Sequence, residues 1–85
     1  MSEAKITIYS TPYCGYCKLL KEYLDKNNIV YQEIDVSEDE KAQQEMITKS
    51  GQMGVPVIII KKDGNEEIVV GFQKDKLAEI LKLDN

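Results

Sequence analysis

Four apolar residues, Val57 to Ile60, follow Pro56 without an intervening polar residue. A strand with one face in water alternates apolar and polar residues, whereas an unbroken apolar run is typical of a strand that is covered on both faces. Helices are then expected on both sides of the sheet that contains this strand. A chain of 85 residues has material for one such layered core, so we expect a single domain over residues 1–85.

Three other segments of the chain have strand patterns. Lys5–Ser10 alternates and is rich in β-branched residues, and Ile29–Val36 and Glu67–Val70 carry similar apolar runs. Asp63-Gly64 is a two-residue hairpin signal, so the strand that begins at Val57 and the one that ends at Val70 are expected to pair directly. The sequence therefore predicts a sheet of four strands.

Three helices are predicted between and after these strands. Apolar spacing indicates the first over Gly15–Asn27, and the second is expected to run to Ser50-Gly51. Ser37 and Glu40 match a capping box at the start of the second helix. A short terminal helix is indicated by three apolar residues, Leu77, Ile80 and Leu81. The expected order is β-α-β-α-β-β-α, an α/β fold with a mixed four-stranded sheet and helices on both faces.

Composition excludes several classes of function. The chain has no histidine, which removes Ser–His and Cys–His hydrolysis, and its two cysteines are too few for a mononuclear zinc site within one chain. A net charge of −4 without a dense lysine or arginine patch argues against nucleic acid as a partner. We expect no metal site, and two thiols without other ligands point to redox chemistry.

The amino terminus carries no targeting signal that the sequence reveals. Residues 1–5 are polar and lead directly into the first strand, and no stretch is apolar and long enough to span a bilayer. We therefore expect a cytoplasmic protein that does not interact with membranes.

The strongest candidate site is Cys14-Gly15-Tyr16-Cys17, which places two thiols across the start of the first helix. Free amides and the positive end of the helix dipole at that position stabilise a thiolate, so Cys14 is the expected attacking thiol. Cys17 lies one turn into the helix, on the same apolar stripe as Leu20, and is the expected resolving thiol. The alternative is that both cysteines are small buried hydrophobic residues.

Val55-Pro56 is a second candidate feature. A cis peptide bond here would turn the backbone toward the thiols and leave the amide and carbonyl groups of Val55 available to a substrate chain. The alternative is an ordinary trans proline at the beginning of a strand, since only about 5–6% of such bonds are cis.

Three side chains beside the cysteines are weaker candidates. Lys18 is expected either to hold negative charge near the site or to be an ordinary surface lysine. Tyr13 and Tyr16 are expected either to form an apolar wall for a bound peptide or to pack against the loop. Tyr16 is the stronger candidate of the two because it lies inside the cysteine motif.

Three segments together resemble the glutaredoxin family in order and spacing: Thr11-Pro12-Tyr13-Cys14-Gly15-Tyr16-Cys17-Lys18, Gly54-Val55-Pro56 and Gly71-Phe72. The resemblance implies a thioredoxin fold with a cis bond before Pro56. It implies an oxidoreductase in cell redox homeostasis and electron transport, which reduces protein or glutathione mixed disulfides with Cys14 as nucleophile and Cys17 as resolving thiol. It further implies a substrate- or glutathione-binding set with supporting residues: Tyr16, Gln52, Val55, Pro56, Gly71 and Phe72, with Pro12, Tyr13 and Lys18 in support.

Three departures from the family pattern bear on the subtype. Most dithiol glutaredoxins have proline where Gly15 stands, and the family usually has threonine where Gly54 stands. The family also follows its second glycine with a turn that binds the glutathione amine and carboxylate, whereas residues 71–75 resemble glutaredoxin-like reductants recharged by thioredoxin reductase. No cofactor is obligatory in this interpretation, and the electron donor is either glutathione, as co-substrate, or thioredoxin reductase.

Two other classes of function stay open at this stage. Relatives with glycine or serine at the position of Gly15 hold a two-iron cluster between two subunits with glutathione, so a dimeric iron–sulfur carrier is the alternative. A redox-inert binding module that uses the Val55-Pro56 edge is a third hypothesis. The preferred interpretation is a monomeric dithiol reductase whose partners are disulfide-containing proteins.

Overall fold

The computed structural model describes residues 4–62 and 64–82, and its elements follow the predicted order. The sheet consists of four strands in the spatial order β2-β1-β3-β4. Within the described residues no helix is both long and apolar enough to cross a membrane. The elements are β1 Lys5–Ser10, α1 Gly15–Lys26, β2 Gln32–Asp35, α2 Glu40–Ser50, β3 Val57–Lys62, β4 Asn65–Val70 and α3 Lys74–Leu81.

Strand pairing makes the sheet mixed, as predicted. β1 runs parallel to β2 and antiparallel to β3, and β3 runs antiparallel to β4. The last β3–β4 pair joins Lys62 to Asn65, so the hairpin has a two-residue connection. Gly64 in that connection has a φ of 79°, a conformation that favours glycine. Asp63, the other residue of the predicted turn, lies outside the described residues.

Apolar residues from the two faces of the sheet form two clusters. The larger lies under α1 and α3, where Leu20, Leu24 and Leu77 pack on side chains of β1 and β3. The smaller lies under α2 and includes Met46. All four residues of the run Val57–Ile60 are buried, and they alternate between the clusters, which confirms that this strand is covered on both faces.

The second strand is shorter than predicted. β2 begins at Gln32, whereas the sequence pattern places its start at Ile29. Asn28 has a φ of 58°, which reverses the chain after α1, and the amide of Ile29 donates to the Leu24 carbonyl. Ile29 therefore contributes to the larger cluster as part of the helix end. Pairing with β1 begins only at the Thr7–Gln32 register pair.

The predicted capping box at the second helix is wrong. The N-cap residue is Asp39, whose side chain accepts a hydrogen bond from the Ala42 amide at 3.1 Å. Ser37 is occupied elsewhere, because its hydroxyl and its amide both donate to a carboxylate oxygen of Asp35. A tight turn therefore separates Ser37 from the helix. The predicted end is confirmed, with Gly51 in the left-handed conformation as C-cap.

Candidate active site

The two cysteines lie where β1 passes into α1, in a stretch that we call the thiol segment, Thr11–Cys17. Cys14 is the N-cap residue of α1, and its sulfur accepts a hydrogen bond from the Cys17 amide at 3.2 Å. A cysteine thus occupies the place where serine or aspartate usually caps a helix. The Cys14 sulfur thus lies at the positive end of the dipole of α1 and receives one backbone N–H.

Cys17 differs sharply from Cys14 in its surroundings. Its side chain is 1% exposed, whereas Cys14 is partly exposed, so the predicted division between an accessible and a covered thiol is confirmed geometrically. Burial, together with a side-chain hydrogen bond between its thiol and Cys14, raises the pKa of Cys17 to about 12. The Thr11 backbone and the positive charge of Lys21 act in the opposite direction. Cys17 is therefore protonated at neutral pH while both thiols are reduced.

Opposite the thiols lies a second stretch, which we call the cis-proline loop, Gly51–Pro56. The Val55–Pro56 peptide bond is cis, as the family resemblance implies. The Val55 carbonyl oxygen lies 3.7 Å from the Cys14 sulfur, and the Pro56 carbonyl accepts a hydrogen bond from the Gly71 amide at 2.8 Å. The fold thus brings Val55 to Cys14 and Gly71 to Pro56, although these residues are distant in sequence.

Most of the remaining predicted residues are exposed side chains of the thiol segment and α1, whereas Phe72 packs against the larger cluster. Tyr13 and Tyr16 are 89% and 66% exposed, and Pro12 and Lys18 are also exposed. The Phe72 ring packs at a tilt against Tyr23 of α1, with ring centroids 5.8 Å apart, and contributes to the larger cluster.

Gln52 lies in the cis-proline loop with its side chain turned toward its own backbone. Its amide oxygen accepts from the Gly54 amide at 2.6 Å, and its amide nitrogen donates to the Gly54 carbonyl at 2.9 Å. The sequence prediction assigns Gln52 to the binding set on family grounds, and its hydrogen bonds here are to the loop itself.

Sequence reasoning missed a charged pair beside the thiol segment. Lys21 forms an ion pair of 2.8 Å with Glu33, and the Ser10 hydroxyl donates to the same carboxylate oxygen at 2.6 Å. These partners lower the pKa of Glu33, while the carboxylate raises the pKa of Lys21. Lys21 follows Cys17 by four residues, one helical turn, which is the signal that could have identified it. Its partner depends on the register of β2, which the sequence does not reveal.

Comparison with solved structures assigns the fold to the thioredoxin class. The thioredoxin-like protein BC3987 matches with a TM-score of 0.79 at 38% identity, covering 91% of this chain and 100% of that one. Glutaredoxin grx-1 from Archaeoglobus fulgidus gives 0.76 at 25% identity, with 93% and 87% coverage.

Within that class the chain belongs to the glutaredoxin family, whose model, described as Glutaredoxin, matches residues 6–64. A glutaredoxin-like 8.6 kDa protein in the rubredoxin operon of Clostridium pasteurianum is 47% identical over 77 residues, which are 91% of this chain and 97% of that protein. The predicted family and the predicted thioredoxin fold are both confirmed.

Proposed function

We propose that this protein is a dithiol–disulfide oxidoreductase in which Cys14 attacks a substrate disulfide and Cys17 resolves the mixed disulfide. The observation that carries the proposal is the arrangement around the Cys14 sulfur, which accepts from the Cys17 amide and lies 3.7 Å from the Val55 carbonyl. A partly exposed thiol capping a helix, with a buried thiol one turn behind it, suits two sequential exchange steps.

The two steps balance without a further reactant. The Cys14 thiolate forms a bond to one sulfur of the substrate disulfide, and the other sulfur leaves as a thiolate that takes up a proton. Cys17 then attacks the Cys14 sulfur, forming the Cys14–Cys17 disulfide and releasing the second substrate thiol, which takes the proton that Cys17 gives up. The substrate gains two electrons and the cysteine pair loses two.

The surroundings of Cys17 favour this order of events. In the reduced protein burial is the main cause of the raised pKa of Cys17, and the hydrogen bond to Cys14 and the charge of Cys14 raise it further. The interaction with the Cys14 charge ends when Cys14 becomes part of a mixed disulfide, whereas burial and the opposing effects of the Thr11 backbone and Lys21 persist. Cys17 therefore becomes easier to deprotonate at the stage at which it must attack.

We further propose that glutathione is a weak donor and that thioredoxin reductase recharges the pair. The turn after β4 supports this, because the Gly71 amide already donates to Pro56 and the Gln73 side chain donates to the Val70 carbonyl. Two lost charge-assisted hydrogen bonds, about 1.5–3 kcal/mol each, would weaken glutathione binding by at least about a hundredfold.

The donor is tested by following NADPH consumption with one protein disulfide as substrate. One reaction contains glutathione and glutathione reductase, and the other contains thioredoxin reductase alone. We expect efficient turnover in the second system. Efficient turnover only with glutathione would refute the donor proposal while leaving the dithiol mechanism intact.

The same preparation separates the reductase from the two other classes of function. A colourless monomer after purification without air argues against the iron–sulfur carrier, which rests on Gly15 alone. A Cys14–Cys17 disulfide that a mild reductant opens reversibly argues against a redox-inert binding module. Failure to form that disulfide would refute the proposed function itself.

A further inference from the structure

The orientation of the Gly54–Val55 peptide group decides what the cis-proline loop offers to a substrate chain. Among the described residues the Val55 amide has no hydrogen-bond partner, while the Val55 carbonyl faces the Cys14 sulfur at 3.7 Å. A substrate strand that reaches the thiols therefore meets a free backbone donor at Val55. A rotation of this one peptide group would turn the donor away.

One side chain holds that peptide group in place. The Gln52 amide nitrogen donates to the Gly54 carbonyl at 2.9 Å, and this carbonyl shares its peptide plane with the Val55 N–H. The cis bond of this loop is Val55–Pro56, so the Gly54–Val55 peptide bond is trans. In a trans peptide the C=O and N–H bonds point in opposite directions. Fixing the Gly54 carbonyl on Gln52 thus directs the Val55 N–H to the other side of the chain.

A second hydrogen bond joins the Gln52 side chain to the backbone of Gly54. Its amide oxygen accepts from the Gly54 amide at 2.6 Å, so one side chain satisfies both backbone groups of Gly54. A planar amide with one acceptor and one donor matches this pair of groups, which a shorter or charged side chain does not.

Gly54 is what makes room for this contact. A Cβ atom on residue 54 would lie 2.8 Å from the Gln52 amide oxygen, closer than side-chain carbons approach other atoms. The atom in the way is the far end of a flexible side chain, so a larger residue would displace Gln52 rather than disrupt the fold. Gln52 and Gly54 are therefore coupled, because the hydrogen bonds of Gln52 require that residue 54 has no side chain.

We propose that Gln52 is a positioning residue which, through Gly54, orients the Val55 amide for pairing with the backbone of a disulfide substrate. The inference rests on the proposed reductase function and deepens it. It also changes the role of Gln52, which acts on the loop instead of contacting glutathione.

The test is a double-mutant cycle of Gln52→Ala and Gly54→Ala, assayed with a disulfide-bonded protein and with a small aromatic disulfide that forms no backbone pairing. Each single variant is expected to raise KM for the protein about fivefold with kcat unchanged, because one backbone hydrogen bond is misaligned. The double variant should equal Gln52→Ala alone, because the clash exists only with Gln52 present. Reduction of the small disulfide should stay at the wild-type rate.

Two further variants complete the design. Gln52→Glu has the same shape but cannot donate to the Gly54 carbonyl, so it should raise KM as Gln52→Ala does. Gln44→Glu makes the same charge change on the exposed surface of α2 and should leave KM unchanged. In an NMR spectrum the Val55 amide resonance should shift in the Gln52 variants and not in the Gln44 variant.

The outcomes separate the two proposals. A wild-type protein that reduces neither disulfide refutes the proposed function. A wild-type protein that reduces both, with KM of Gln52→Ala within twofold of wild type, overturns the role of Gln52. Additive effects in the double variant, or equal losses with both substrates, also overturn it.

Discussion

The thiol segment and the cis-proline loop meet at one sulfur atom, but they are held by different forces. The thiol segment continues into a helix whose inner stripe, Cys17, Leu20 and Leu24, is fully buried. The cis-proline loop is held upstream of the buried Pro56 by hydrogen bonds of polar side chains, chiefly Ser50 and Gln52.

This difference indicates how each region responds to change. Burial of a large apolar side chain contributes several kilocalories per mole, whereas one hydrogen bond near solvent contributes about 0.5–1.5 kcal/mol. Changes in the thiol segment should therefore affect chemistry or global stability. Changes in the cis-proline loop should affect substrate recognition at a small cost in stability.

The largest effect is expected from the nucleophile itself. Cys14→Ser should lose turnover of every disulfide, because a hydroxyl does not replace a thiolate in exchange, while Cys17→Ser should still trap a mixed disulfide with substrate. Alkylation of the reduced protein at pH 6, read by mass spectrometry, should label Cys14 first. Faster labelling of Cys17 would reverse the two assignments.

Leu20→Ala tests whether burial of the helix that follows the thiol segment stabilises the protein. Leu20 is fully buried in the larger cluster, so its truncation should lower the free energy of unfolding by about 2–5 kcal/mol in a urea titration. Leu19→Ala, at a half-exposed position on the same helix, is the matched control and should cost far less. Equal losses in the two variants would contradict the view that burial holds this segment.

The raised pKa of Cys17 predicts a loss of stability in alkali. Between the ordinary thiol pKa near 9 and the folded value of about 12, the unfolded chain has released this proton and the folded chain retains it. The folded state then binds more protons, so the free energy of unfolding falls as pH rises through that window. Reduced wild-type protein should lose more stability between pH 8 and pH 10.5 than Cys17→Ala does, and parallel profiles would contradict the prediction.

The smallest effect is expected in the cis-proline loop. The Ser50 hydroxyl donates to the Met46 carbonyl at 2.6 Å and lies 3.0 Å from the Gln52 carbonyl, joining the end of α2 to the loop. Ser50→Ala should cost about 1 kcal/mol of stability and raise KM for a protein disulfide more than it lowers kcat. Thr48→Ala, exposed on the same helix, is the control. A fall in kcat alone would show that the loop supports the chemical step.

Sequence periodicity predicted the elements because burial on two faces leaves a strong pattern, as in Val57–Ile60. It failed where polar side chains had a choice of partners. Ser37 has the spacing of a capping box, but its hydroxyl and amide donate to Asp35. The helix is capped by Asp39 instead. Such competition is decided by local geometry rather than by spacing.

Part of the candidate site was also predictable from the sequence. The cysteines are three residues apart in sequence, and family resemblance supplied the cis bond before Pro56. The Lys21–Glu33 pair was not predictable, because it depends on how β2 lies beside β1. The two hydrogen bonds between the Gln52 side chain and the Gly54 backbone were missed because a glutamine in such a loop has several partners within reach.

The separation of 41 residues between Cys14 and Val55 has a consequence for how the protein matures. The dithiol is local, so it can oxidise in a nascent chain that has formed little more than the first helix. The cis-proline loop reaches Cys14 only when β3 pairs with β1. That pairing closes a long loop, which has a substantial entropic cost. If the proposed reductase function is correct, an incompletely folded chain carries the dithiol without the loop that selects a substrate, and selectivity appears only when folding is complete.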